Sequence, residues 1–153
     1  AGDVRDCGET VAAITQADKA GVVLGLGASR TLSRTDDVLQ AMGRDSVDVV
    51  IDLVGGPAFG SLLEVLRRGG RYAVAGAIAG PVVGLDLRTL YLKDLSLLGC
   101  TVTTAAQFAS LVRRIEQGLL RPVVGAVYPL RQVREAQDAF LGKAHAGKIV
   151  LVP

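Results

Sequence analysis

Asp48 and Asp52 stand four residues apart on a run that is otherwise apolar. In an extended chain that even spacing points both carboxylates to one face. Two carboxylates can share general acid and base work, but only where they converge in a cleft. Nothing around these two builds one, so Asp48 reads as a turn-start residue and Asp52 as a polar residue at a strand end. Cys7 and Cys100 lie far apart, with no CxxC or Cys/His spacing. That excludes the usual zinc frameworks. Cys100 has no histidine near it in sequence, and a small buried thiol explains it better than a nucleophile. His145, the single histidine, sits between Lys143 and Lys148 and reads as a surface residue. No general acid, general base or metal set can be assembled. What remains is a class of chemistry in which side chains do little and backbone does much: glycines placed where strands end, where the main chain can approach a ligand closely.

The stretch that positions those glycines is Val47 to Val54, closed by Gly55-Gly56-Pro57. Six of its eight residues are apolar and most are β-branched. A continuous run of this kind predicts a strand buried on both faces, in the middle of a parallel sheet. Around it the chain alternates. Strands are expected at 10–15, 30–33, 71–75, 95–101, 123–128 and 148–152, with helices near 16–26, 36–43, 57–66, 87–93, 104–117 and 131–141. Gly27 and Gly43 stop two of these helices, Arg67 to Gly70 close a third, and Thr104 is an N-cap. Phe108, Leu111, Val112 and Ile115 share one helical face. Strands alternating with helices predict an α/β fold with a mostly parallel, doubly wound sheet. In open sheets of this type, ligands bind outside the carboxyl ends of the strands.

Composition narrows the partners. The 153 residues suit one domain with a real core, half of them hydrophobic and 21% charged. With six aromatic residues, no Trp and a formal charge of +2, the chain lacks both the stacking platforms and the charge for nucleic acid. No apolar segment reaches the about 18–20 residues of a membrane span, and Ala1-Gly-Asp-Val-Arg5 has no signal-peptide pattern. A cytoplasmic protein with reduced thiols is the expectation.

Several linked motifs go further than composition can. Asp48-Val-Val-Ile-Asp-Leu-Val-Gly-Gly56, Leu66-Arg-Arg-Gly-Gly-Arg-Tyr72, Ala75-Gly76 and Leu92-Lys-Asp-Leu-Ser-Leu-Leu-Gly99 occur in that order. The helix 104–117, Tyr128-Pro-Leu130 and Ala146-Gly-Lys-Ile-Val-Leu151 follow. Together they resemble the cofactor domain of the medium-chain dehydrogenases/reductases, closest to quinone oxidoreductases and zinc-type alcohol dehydrogenases. The resemblance covers about residues 10–152. It implies a Rossmann-like dinucleotide-binding domain and hydride transfer with a small-molecule substrate, an enone, quinone or carbonyl compound. It lacks the family's catalytic domain and the first strand with its G-x-G-x-x-G turn, which seats a pyrophosphate at a helix N-terminus. Gly25-Leu-Gly27 ends a helix and does not replace that turn.

The resemblance also assigns residues. At the end of the first strand an acid would favour NAD, whereas basic or hydroxyl groups accommodate a 2′-phosphate. Gln16 and Lys19 stand there, with Asp18 close by, and Lys19 and Arg34 match positions that embrace that phosphate in NADP-dependent members. The expected cofactor is therefore NADP(H), unless both are ordinary solvated charges. Val54 and Gly55 would line the adenosine and its ribose, and Ala75, Gly76 and Ala77 the nicotinamide ribose. Gly99, Cys100 and Thr101 form the next loop along. Lys148 either reaches a phosphate or is a plain surface lysine.

Two expectations concern what is not there. In the strand order 3-2-1-4-5-6 the missing strand is the central one, so the strand at 10–15 has no neighbour linking it to 47–54. Unpaired buried backbone is costly. Either the chain is a fragment, or another segment or subunit fills the gap, or the two sheet halves join directly. A shortened, cofactor-free module with a structural or recruited role is the competing function. Finally, Ser96–Thr101 should be an edge strand without Lys, Pro or acid to protect it. That predicts a homodimer in which antiparallel strands meet near residues 96–102, unless Val123–Tyr128 folds back over the edge.

Overall fold

The computed structural model describes residues 10–153; the reading of Cys7 lies outside the described residues. Its elements are β1 (Ala12–Thr15), α1 (Ala20–Gly25), β2 (Arg30–Ser33), α2 (Val38–Met42), β3 (Val47–Asp52), α3 (Phe59–Val65) and β4 (Leu66–Val74). Then come α4 (Leu87–Leu92), β5 (Ser96–Gly99), α5 (Ala105–Glu116), β6 (Val124–Pro129), α6 (Val133–Gly142) and β7 (Lys148–Val152). The expected α/β alternation is present, and every strand pairing among the described residues is parallel. The strands form three sheets, ordered β1-β2, β3-β4-β5 and β6-β7. No helix among the described residues is long and apolar enough to cross a membrane.

The chain divides into two compact units. One consists of the residues up to Arg34 together with Thr104–Pro153, the other of Thr35–Thr103. In the second unit Val38, Phe59, Leu62, Leu63, Val65, Leu66, Tyr72 and Leu95 make one contiguous core. Phe59 meets the Tyr72 ring edge-on, with centroids 5.2 Å apart. In the first unit α5 opens on a reciprocal capping box between Thr104 and Gln107, which satisfies orphan donors at both ends of the pair.

Two local expectations are corrected. β3 is not buried on both faces: Val50 packs on the core and Asp52 is buried, but Val49, Ile51 and Leu53 are exposed, Ile51 to 73%. These three alternate along the strand and so share one face, and that face is left uncovered while the opposite one packs on the core. The second correction is the end of α3. Leu66 already has extended geometry and pairs with Val47, so Arg67 to Gly70 belong to β4 instead of closing the helix. The cation at that helix end is Lys93, whose Nζ donates to the carbonyls of Leu63 (3.2 Å) and Glu64 (2.9 Å). Arg67 and Arg68 pair outward with Asp48 and Asp94.

β5 is the edge of its sheet, as expected. β6 takes β7 as its ladder partner.

Candidate functional site

Three parallel strands in one sheet put their carboxyl ends along a single border, and β3, β4 and β5 do so here. The turn after β3 is set by its last residue. Asp52, only 6% exposed, accepts hydrogen bonds at Oδ1 from the amides of Val54 (2.7 Å) and Gly55 (3.0 Å). Its Oδ2 accepts the hydroxyl of buried Tyr72 at 2.5 Å. Burial alone would raise the Asp52 pKa, but the bonds from Tyr72, Gly55 and Val54 outweigh it and hold the carboxyl below its ordinary range. Tyr72 moves the other way, raised far above the ordinary phenol by burial, then by its bond to Asp52 and by that carboxylate's charge. The pair is a locked hydrogen bond, not an acid–base couple poised for neutral pH.

The turn after β4 is zipped to the turn after β3. The Ala75 amide donates to the Asp52 carbonyl and the Ala79 amide to the Val54 carbonyl, both at 2.9 Å. Gly55 has φ +64°, and a Cβ there would come within 3.1 Å of the Ala77 Cα and the Gly80 oxygen. At Gly76 a Cβ would fall 2.5 Å from the Leu53 carbonyl oxygen. Both glycines are required by backbone packing, which no larger residue would permit. Beside these turns a groove of about 300 Å³ is lined by Gly56, Phe59, Ala79, Gly80 and Val82, among others. The Cys100 amide continues the border by donating to the Val74 carbonyl at 2.8 Å.

Of the residues singled out by sequence, Val54, Gly55, Ala75, Gly76 and Ala77 are thus brought together, with Cys100 and Thr101 after the neighbouring strand. Cys100 is exposed, not a buried thiol; an edge strand offers nothing to cover it. Gln16, Lys19, Arg34 and Lys148 belong to the other unit. Gln16 precedes a 3₁₀ turn without capping it through its side chain. The Lys19 ammonium donates to the Lys143 carbonyl at 3.0 Å, at a residue with left-handed geometry ending α6. Arg34 and Lys148 are exposed. His145 is half-buried rather than a surface residue: its ring lies 5.9 Å from that of Phe140, and its Nδ1 is buried without a hydrogen-bond partner. Asp48 and Asp52 do not converge, since one is exposed with Arg67 and the other sealed with Tyr72. The residue that sequence reasoning underrated is Asp52. The signal was available: an acid two and three residues before the amides of a glycine turn can accept from both.

Known proteins agree with this architecture. A family profile described as zinc-binding dehydrogenase matches residues 26–151. The chain belongs to the zinc-binding dehydrogenase family. Quinone oxidoreductase from Lama guanicoe is 32% identical over 143 residues, covering 86% of this chain and 43% of that protein. A solved structure from Sinorhizobium meliloti 1021, assigned to the alcohol dehydrogenases, is 46% identical at a TM-score of 0.86, covering 97% of this chain and 43% of its own. A structure of an NAD-dependent alcohol dehydrogenase is 30% identical at a TM-score of 0.79, covering 94% of this chain and 44% of its own. The medium-chain dehydrogenase/reductase resemblance and its Rossmann-like fold therefore hold, in a chain that spans about two-fifths of these relatives' length. The zinc in the family description does not fit: among the described residues no three His, Cys, Asp or Glu side chains converge on a metal position.

Proposed function

We propose that this zinc-binding dehydrogenase chain is the cofactor half of an NADP(H)-dependent oxidoreductase that acts on an enone, quinone or carbonyl compound. The observation that carries the reading is the border where β3, β4 and β5 end, with glycine turns zipped together beside an open groove. The bound nicotinamide would supply the hydride chemistry itself. This chain's residues bind and orient: Val54 and Gly55 at the adenosine and ribose, Ala75 to Ala77 at the nicotinamide ribose, Cys100 and Thr101 on the adjoining loop, Lys148 at a phosphate. Gln16, Lys19 and Arg34 would accommodate a 2′-phosphate, since Thr15 and Gln16 offer no acid to a free 2′-OH at the end of β1. To do so Lys19 must share its ammonium between the Lys143 carbonyl and the phosphate, which three donors allow. Titration with NADPH and NADH tests the preference: NADPH should bind more tightly, and tighter NADH binding refutes it.

A second reading, a cofactor-free module, draws on the absence of any G-x-G-x-x-G turn in the 153 residues. A reading frame that carries that turn after a strand ahead of residue 1 would eliminate it. Under the leading reading the assembly is a homodimer joined at the β5 edge near residues 96–102.

A further inference from the structure

Two turns on this border depend on one buried carboxylate. Asp52 Oδ1 receives the Val54 and Gly55 amides, and the Val54 carbonyl receives the Ala79 amide, so the loop from Ala77 to Gly80 hangs on the turn that Asp52 sets. Behind it Tyr72, 3% exposed and held edge-on by Phe59, donates to Oδ2 and leaves the carboxylate one orientation. A carboxylate with donors on both oxygens cannot rotate without breaking bonds that are stronger than neutral ones. Gly56 and Ala79, neighbours across this junction, both line the groove.

We propose that Asp52 and Tyr72 are positioning residues that fix the Val54–Gly55 turn and the Ala77–Gly80 turn as one unit and so present the groove to its ligand. The ligand half of this proposal rests on the cofactor reading above; the mechanical half does not. Tyr72 lies out of the ligand's reach and acts through Asp52, and Asp52 acts through backbone.

The test compares the wild-type chain with Tyr72→Phe and Asp52→Asn. Amide hydrogen exchange by NMR reports Val54, Gly55 and Ala79, with Ala75 and Cys100 as references in the same sheet. Loosening confined to the linked turns should lower protection at Val54, Gly55 and Ala79 together, by about tenfold, and spare Ala75 and Cys100. A uniform fall at all five amides, or protection retained at Ala79 while Val54 and Gly55 lose it, overturns the coupling. Should Asp52→Asn fail to fold, Tyr72→Phe decides alone, because it keeps the ring and removes only the hydroxyl. NADPH titration of the same samples, at a temperature where all are folded, should show binding several-fold weaker in Tyr72→Phe, because turns without the hydroxyl no longer hold the geometry that the groove presents. Unchanged affinity despite loosened turns overturns the positioning role. If the wild-type chain binds neither NADPH nor NADH, the cofactor reading fails and the exchange pattern still decides whether the turns move as a unit.

Discussion

Asp52 shows how little of a side chain's role its sequence neighbourhood gives away. An acid at the end of an apolar strand is ordinarily polar trim, and the glycines after it were the legible part. What could not be read was Tyr72, twenty positions on, whose ring must be buried by Phe59 before its hydroxyl can find the carboxylate. That interaction depends on packing between elements, and no local spacing encodes it. It has a pH signature. The Asp52 pKa is held below the ordinary carboxylate value of 3.8. Its contribution is therefore complete above that value and lost as pH falls through the lower folded one. The Tyr72 pKa is raised above the ordinary 10.0, so its contribution is complete below pH 10 and lost as pH rises beyond. Removing the hydroxyl should cost about 1.5–3 kcal/mol near neutrality, as for other hydrogen bonds to charged groups. Urea midpoints of wild type and Tyr72→Phe across the pH range check this. Their difference should be largest between the two limbs and shrink at both ends. A difference independent of pH would mean that the hydroxyl contributes packing alone.

Among the elements, β3 and β7 were legible because apolar, mostly β-branched runs are bounded by glycine or proline, and α5 because its cap and apolar stripe are local. The misread places are those where a neighbour decides. α3 yields to β4 one residue early because Leu66 finds Val47 as a strand partner. β3 looks doubly buried in sequence since its residues suit a central strand, yet only one of its faces is packed and the face of Val49, Ile51 and Leu53 is exposed. β5 makes the same point from the other border. Leu97 and Leu98 are both partly exposed on an edge that carries no Lys or Pro, which is what a strand kept for pairing looks like. A twofold partner presenting β5 antiparallel would extend β3-β4-β5 into a six-stranded sheet. Leu98→Lys should then weaken the dimer, seen as a shift toward monomer in sedimentation velocity. A wild-type monomer, or a dimer indifferent to the lysine, would rule the edge out as the joint.

At the scale of the whole chain, apolar burial is uneven. The Thr35–Thr103 unit holds the entire contiguous core, from Val38 to Leu95. The other unit contributes only Ala28, Leu32 and Ala136 to the buried apolar residues among those described. Each fully buried aliphatic or aromatic side chain contributes about 1.5–3 kcal/mol, and alanine much less. The first unit thus has little to set against the entropy of ordering its four strands. Its amphipathic α5 leaves Phe108, Leu111, Val112 and Ile115 at least a third exposed, so even its best apolar stripe is only partly used. Composition could not reveal this, because the apolar residues are present in both units and only their packing differs. Free energies of opening should differ accordingly, with the first unit opening locally while the second stays closed. Brief native-state trypsin digestion reads that difference directly. Cuts should come first at Arg113, Arg121, Arg131 and Arg134, leaving a resistant fragment that contains 35–103. Arg71 is exposed too, but on β4 it pairs with Val49 of β3 and Ser96 of β5. A protease needs an extended, unpaired chain, so this bond should survive although its side chain is accessible. Cleavage at Arg71 as early as at Arg121 would show that the chain opens as a single cooperative body, and that the core in 35–103 confers no separate stability.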